Sequence, residues 1–463
     1  MGCRAAVSRR DVLRVGSLSW LGLGLSEVLR GQARGSGSGL GSASSATGTA
    51  RPIRGVILAF CPGGPSQLET FDPKPEAPRE VRGEFDSIAT AIPGVRFGEY
   101  LPRLAKAVDR MTLIRSMRTT SPVHELAVHR LLGGVDEVPP GTGVAASRKD
   151  QPHLGAVLAA TRTAPEGLPH AVILPTNLTF EGAVFPGQNA GFLGPRFDPW
   201  HILGDPTAPG FGPEALELPE GLSIGRLDRR RSLLEAVDAA RAELDRRAES
   251  APMDDFRRRA IAIITSRTCR DAFDLDREDP RVRDRYGRTL MGQGLLLGRR
   301  LVEAGVPLVQ VNLGESNVWD THEKNFERHR DILCPPFDLA VSALAEDLDA
   351  RGLSDEILVI VTGEFGRTPR VGQPIKGGAG AKPDGRDHWP SVFSALAFGA
   401  GVGRGRVLGA SDRLASFPTT ASYSPADLGA SILQAFGIDP TIELHDPLGR
   451  PLPINRGRPI PWS

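Results

Sequence analysis

The chain has 463 residues, 40% hydrophobic and 24% charged, enough to bury a large core. Its 56 basic and 55 acidic residues leave a formal charge of +1, which lacks the basic footprint of a nucleic-acid binder. The four cysteines, Cys3, Cys61, Cys269 and Cys334, show no CxxC spacing, so neither a zinc finger nor a disulfide scaffold is expected.

Arg9 and Arg10 precede an uncharged, Gly-rich, largely apolar run from Val15 to Ser26. This pattern resembles a twin-arginine export signal, expected over residues 1–34. The run falls short of the ~20 apolar residues of a comfortable membrane span, and no later segment qualifies. No stable transmembrane anchor is therefore expected. Residues 35–50 are almost wholly Gly, Ser, Ala and Thr, a flexible linker, so the folded domain is expected over 51–463. The expected location is periplasmic or extracellular, with the twin-arginine translocation machinery as a partner.

Gly55–Phe60 is an unbroken apolar run, the mark of a strand buried on both faces. It runs into Cys61-Pro62-Gly63-Gly64-Pro65-Ser66, where glycines let backbone N–H groups approach an anion and a following helix would add its dipole. Ser66 is a candidate nucleophile, metal ligand or helix N-cap. Asp72, in the rigid turn Thr70-Phe71-Asp72-Pro73, is a candidate ligand or an ordinary Asp-Pro turn starter. A helix near Tyr100 to Arg110 and a strand from Thr112 to Arg115 come next. Ser121 and Pro122 then mark a helix start that puts His124 in the first turn, facing a cleft. His129, about 140° further round that helix, reads as a core or surface histidine.

Ala171–Leu174 reads as a short strand, and the Gly-rich segment from Gly187 to His201 as a long surface loop and a candidate lid. Residues 227–266 suggest two solvated helices, and Leu290–Ala304 a further helix ended by Gly305 and Pro307. Leu308–Leu313 is the next buried strand, leading to Trp319-Asp320-Thr321-His322. After a helix at about Ile332–Arg351, strand Glu356–Val361 runs into Gly363-Glu364-Phe365-Gly366-Arg367, where Gly366 allows a tight turn. A Gly-rich loop leads to Gly385-Arg386-Asp387-His388. Strand Val392–Phe398 and a helix at Pro425–Phe436 close the domain. Strands alternating with helices along the chain argue for a doubly wound, mainly parallel α/β sheet.

The three stretches at the strand ends bring imidazoles and carboxylates, the mixture a divalent hydrolytic centre needs, with an arginine to hold an anion. Open α/β sheets place ligands at such ends. Nitrogen and carboxylate donors suit Zn or Mn, with Ca or Mg fitting less well.

Taken with the leader, the block from Gly63 to Pro75, the run Arg299–Val306, Trp319–His322, Gly363–Pro369 and Gly385–Pro390 make the chain resemble the DUF1501 family. That family is sulfatase-related and is grouped with the alkaline-phosphatase-like superfamily. The resemblance implies an α/β/α sandwich with a mainly parallel sheet and metals at the carboxyl ends of its strands. It implies Asp320, His322 and His388 as one ligand set. Glu364 stands where an Asp-His pair usually follows a strand, and Asp387 and Asp72 are further candidate ligands. The sulfatase nucleophile pattern is absent, because Cys61 is followed by Pro62-Gly63-Gly64-Pro65 with no arginine.

The expected function is therefore an exported metal-dependent hydrolase of a sulfate or phosphate ester, acting on a small anionic ester or on a sulfated or phosphorylated polymer. In it Glu364 is a ligand or general base, Arg367 forks the anion, His124 protonates the leaving group and Ser66 is the candidate nucleophile. The alternative is a non-catalytic exported binding protein on the same fold.

Overall fold

Eight strands form the central sheet: Gly55–Phe60 (β1), Thr112–Met117 (β2), Ala171–Leu174 (β3), Trp200–His201 (β4), Leu308–Asn312 (β5), Ile357–Thr362 (β6), Phe393–Gly399 (β7) and Arg406–Leu408 (β8). In this computed structural model the described residues are 53–163, 165–212, 260–446 and 448–463. The export signal, the linker and nearly all of the stretch read as two solvated helices lie outside them. Across the sheet the order is β8-β2-β7-β6-β1-β5-β3-β4. All of β1 is buried, as expected of a run with no polar face to give to water.

β1 lies parallel to β5 and β6, and the parallel pairing continues through β3 to β4. Only β7 runs against the rest, antiparallel to both β6 and β2, and β8 is again parallel to β2. The fold is thus the mainly parallel α/β sheet that the sequence implies. Phe60 is level with Asn312 on one side and Thr362 on the other. The loops leaving β1, β5 and β6 therefore start side by side.

The period-two alternation of each strand divides the core into two layers. On one face Ile57, Ala59, Val309, Val311, Val359 and Val361 meet the apolar sides of Leu290–Ala304 and Cys334–Arg351. On the other, Val56, Leu58, Phe60 and Ile360 meet His124–Gly133 (α1), Leu154–Thr161 (α2) and Pro425–Ala435 (α3). This is an α/β/α sandwich. Among the described residues no helix is long and apolar enough to cross a membrane.

Two local expectations need correction. The Gly-Gly-Pro-Ser segment does not open a helix but passes into turns, so no helix dipole backs it and Ser66 is not a helix cap. The segment from Gly187 to His201 is not a free lid. Gln188 is 1% exposed and bonded to Leu178 and Phe185, Asp198 is paired with Arg148, and Trp200–His201 is an edge strand of the sheet.

His153 caps α2 in a way that fixes its protonation. Its Nδ1 accepts the Gly155 N–H at 2.9 Å, so its Nε2 donates to Gln310 Oε1 at 2.9 Å and the ring is neutral. Burial pushes its pKa down to about 4, against the pull of the Gln310 bond. Because the folded value lies below the unfolded one, the stabilisation is complete above ~6.5 and is lost as pH falls from there through 4. The loss amounts to about 3 kcal/mol. Thermal unfolding followed across this window should therefore show a shallower acid decline for His153→Asn than for the parent, and parallel curves would refute the assignment.

Candidate metal centre

The turn after β1 is shaped by Gly63, which has φ +110°, and a Cβ there would lie 2.5 Å from the Asp320 nitrogen. Only glycine lets this turn press against the loop after β5. That loop is tied down by the Trp319 N–H on Pro62 O at 2.9 Å, and it delivers Asp320 and His322. The loop after β6 delivers Glu364 and Arg367, and Gly366–Arg367 pairs antiparallel with His388–Trp389, setting Arg367 opposite His388. Gly366 serves here as a close contact, since a Cβ would sit 2.5 Å from both Gln67 Oε1 and Val392 O. The first turn of α1 brings His124.

Four of these side chains converge. Asp320 Oδ1 lies 2.9 Å from His322 Nε2 and 3.3 Å from His388 Nε2, and its Oδ2 lies 3.3 Å from His124 Nε2. The Nε2 atoms of His322 and His388 face each other at 2.9 Å. Potential ligand atoms of His124, Asp320 and His388 all lie within 4.8 Å of one another, as do those of His322, Asp387 and His388. Ligand bonds of about 2.0–2.2 Å can span sets of this size. The set fits a cation on a further ground, because imidazoles together with the carboxylates of Asp320 and Asp387 are the donor types that hold Zn or Mn. The other ring nitrogens are oriented from behind: His388 Nδ1 by Pro122 O at 2.6 Å, and His322 Nδ1 by Gly380 O. Such outer partners fix the face that an imidazole presents to a metal. Asp320 and His322, with side chains 19% and 21% exposed, form the open side.

The electrostatics follow from crowding these groups. Burial alone would raise the Asp320 pKa, but Arg367 and the three imidazoles hold it well below the usual carboxylate range. Burial would lower that of His124, yet Asp320 and Glu364 together raise it to about 9. His388, buried and close to Arg367, is pushed down to about 4 despite Asp320.

The structure brings together Asp320, His322, His388 and Asp387. Asp387 also accepts N–H groups from Ile375 at 2.9 Å and Gly380 at 3.2 Å, holding the Gly-rich loop. His124, expected as a proton donor, stands among the potential ligands. Glu364 is placed differently from the expectation of a ligand or base. It is fully buried, accepts the Gly63 N–H at 3.0 Å, and meets His124 Nδ1 at 2.6 Å. It is a positioning residue behind His124. Glu364→Gln should accordingly weaken cation binding about 10–100-fold without unfolding the chain, as outer-shell losses do. Calorimetric titration of the metal-free variant checks this, and unchanged affinity would contradict it.

Arg367 also departs from expectation, because it is not available as an anion fork. It is fully buried, with Nε on Gly64 O at 2.9 Å, Nη1 on Arg386 O at 3.2 Å, and Nη2 on Gly63 O and Asp320 Oδ1. The guanidinium welds the three loops together and orients Asp320. Asp72 is not in the cluster either, since it is paired with Lys74 at 2.9 Å and Arg115 at 3.4 Å and bonded to Ser411. Ser66 is fully buried, so no substrate reaches it there as a nucleophile.

Sequence reading passed over Arg386. It is fully buried, forks Glu69 Oε1 at 2.7 and 3.1 Å, and donates to Thr368 O, Pro369 O and Val81 O. Its one signal was its place immediately before Asp387 and His388.

Fold and site together define an α/β/α protein with a histidine–carboxylate centre at the carboxyl ends of parallel strands. The chain belongs to the DUF1501 family, described as a protein of unknown function, which it matches over residues 53–461. No curated protein matches it. Among solved structures it is similar to Ps i-CgsB in complex with k-i-k-neocarrahexaose, at 9% identity and TM-score 0.41, covering 84% of this chain and 73% of that one. It is similar also to the lipoteichoic acid synthase LtaP from Listeria monocytogenes, at 9% identity and TM-score 0.36, covering 91% and 78%. A third is alkaline phosphatase from the Antarctic bacterium TAB5, at 13% identity and TM-score 0.33, covering 84% and 100%. At these scores the likenesses carry nothing about activity.

Proposed function

We propose that the protein is an exported, metal-dependent hydrolase of an anionic sulfate or phosphate ester. The observation that carries this reading is the convergence of Asp320, His322, His388 and His124 at the open ends of β1, β5 and β6. Imidazole and carboxylate donors suit Zn or Mn. Asp320, His322, His388 and His124 would hold a divalent cation, which would supply Lewis-acid polarisation of the ester oxygen.

The chain's own residues prepare that site. Glu364 and Pro122 O fix the rings of His124 and His388, and Arg367 holds the Asp320 carboxylate in place. Neither Ser66 nor Cys61 is exposed, and burial raises the Cys61 pKa well above its ordinary value. Direct attack by water is therefore favoured over a covalent intermediate on either side chain. The buried state of Ser66 and the internal use of Arg367 are also the observations that favour the second reading, a non-catalytic binding protein on the same fold.

Hydrolysis of a panel of sulfate and phosphate monoesters, before and after chelation and after adding back Zn or Mn, separates the two readings. Turnover that is lost on chelation and restored by the metal is expected. Metal binding without turnover of any ester would favour the binding protein.

A further inference from the structure

We infer that Asp387 is not a ligand of the centre but the residue that positions His322 in it, acting through the Gly-rich loop 375–382, and that the centre holds one cation. This rests on the metal-centre part of the proposed function and not on ester hydrolysis.

Between Gly366–Arg367 and His388–Trp389 the chain forms no helix or strand, so the place of the loop is set by individual contacts. Asp387 is fully buried and supplies the main ones. Its Oδ2 accepts the N–H groups of Ile375 at 2.9 Å and Gly380 at 3.2 Å, and its Oδ1 accepts that of His388 at 2.8 Å. Gly378 passes so close that a Cβ there would lie 2.4 and 2.5 Å from the two carboxylate oxygens. The far end of the loop is fixed by the Lys382 N–H on His322 O at 2.8 Å. In between, Gly380 O meets His322 Nδ1. Gly380 therefore gives its N–H to Asp387 and its carbonyl to His322, and this one residue joins the carboxylate to the imidazole.

A carbonyl oxygen only accepts, so His322 Nδ1 carries the hydrogen, as does His388 Nδ1 on Pro122 O at 2.6 Å. In neutral rings this leaves lone pairs on both Nε2 atoms. They face each other at 2.9 Å and meet Asp320 Oδ1 at 2.9 and 3.3 Å. Facing lone pairs repel unless a positive charge lies beside them, which favours a cation on the Nε2 side. Asp387 approaches His322 from the opposite, Nδ1 side, at 3.7 Å. A second cation there would displace the Nδ1 hydrogen and strip Asp387 from its buried N–H partners, at about 1–3 kcal/mol for each donor left unpaired. His322 depends on the loop more than His388 does on its own support, since their side chains are 21% and 6% exposed.

Asp387→Asn and Gly378→Ala test the coupling. Asparagine keeps one acceptor oxygen, so it cannot hold both the loop and the His388 N–H. Gly378→Ala leaves every candidate ligand in place, and because the backbone at Gly378 is not left-handed, only the approach to Asp387 changes. Zn binding is measured by calorimetry and elemental analysis, and release of the loop by trypsin cleavage after the exposed Lys376 in the metal-free protein. The parent should bind one Zn per chain. Both variants should still bind one, about 10–100-fold more weakly, and both should be cut faster. Lys376→Ala should bind Zn as the parent does. Unchanged affinity in both variants, or weakening in Asp387→Asn alone, overturns the proposal. So does a parent with two Zn of which Asp387→Asn loses one, since Asp387 would then be a ligand. A parent that binds no Zn sinks the metal-centre reading and this proposal with it. Weakened binding in both variants of a protein that hydrolyses no ester upholds the positioning role and sinks the hydrolase reading.

Discussion

Asp320→Asn is expected to reduce ester turnover by at least about 1000-fold, since Lewis-acid stabilisation supplies several kcal/mol and ~4 kcal/mol is a thousandfold. Asp320 stands at the centre of the cluster, within 3.3 Å of three histidine nitrogens. Asparagine keeps its shape and can still accept from the buried Arg367, so the scaffold is not left with an unbonded guanidinium. What is lost is the negative charge that a divalent cation requires among neutral imidazoles. The variant should purify with little bound Zn or Mn, melt within a few degrees of the metal-free parent, and show no turnover at saturating metal. Parent-like kinetics in Asp320→Asn would remove the centre from the chemistry altogether.

The second large effect is on stability. Arg386→Met is expected to destabilise the fold by about 3–5 kcal/mol, the usual result of leaving one member of a buried ion pair alone. Arg386 and Glu69 are 0% and 1% exposed, and Arg386 alone joins Glu69 to carbonyls of Val81, Thr368 and Pro369. Burial would raise the Glu69 pKa, but Arg386 brings it below its ordinary value. Methionine removes the counter-charge and the N–H donors to three carbonyl oxygens while filling much of the volume. Glu69→Gln should cost less, because a neutral amide is left in place of an unpaired carboxylate. Denaturant unfolding of both variants gives the comparison. Equal, sub-kcal/mol losses would show that the pair contributes no more than an exposed one.

The sheet was legible where the chain states its pattern without interruption. Gly55–Phe60, Ala171–Leu174 and Leu290–Ala304 emerge with the boundaries that the sequence suggests. In the first two, unbroken apolar runs admit only a doubly buried strand, and in the third a helical repeat stops at Gly305, which is left-handed here. The edge strands Trp200–His201 and Arg406–Leu408 are too short for any alternation to declare itself. The residue types of the centre were legible for a similar reason: Asp320, His322, Asp387 and His388 follow strands or Gly-rich loops in two tight groups. Their neighbours were not. Whether Arg367 faces a ligand or the backbone carbonyls of Gly63, Gly64 and Arg386 depends on how three separate loops pack, and spacing within one loop is silent on that. Glu364 was misplaced in the same way, since its distance from Gly63 and His124 is set by the β1–β6 register and the start of α1. Ser66 and Asp72 looked functional because they follow the first strand. The chain there folds into turns that bury one and pair the other with Lys74 and Arg115.

The most direct test of a metal centre in this fold is anomalous diffraction from crystals of the protein grown with Zn or Mn, recorded on both sides of the metal's absorption edge. A peak is predicted at about 2.0–2.3 Å from a carboxylate oxygen of Asp320 and from Nε2 of His388, with His124 or His322 completing the set. Metal-soaked crystals with no peak there, and with Asp320 still in direct contact with the imidazoles, would contradict it.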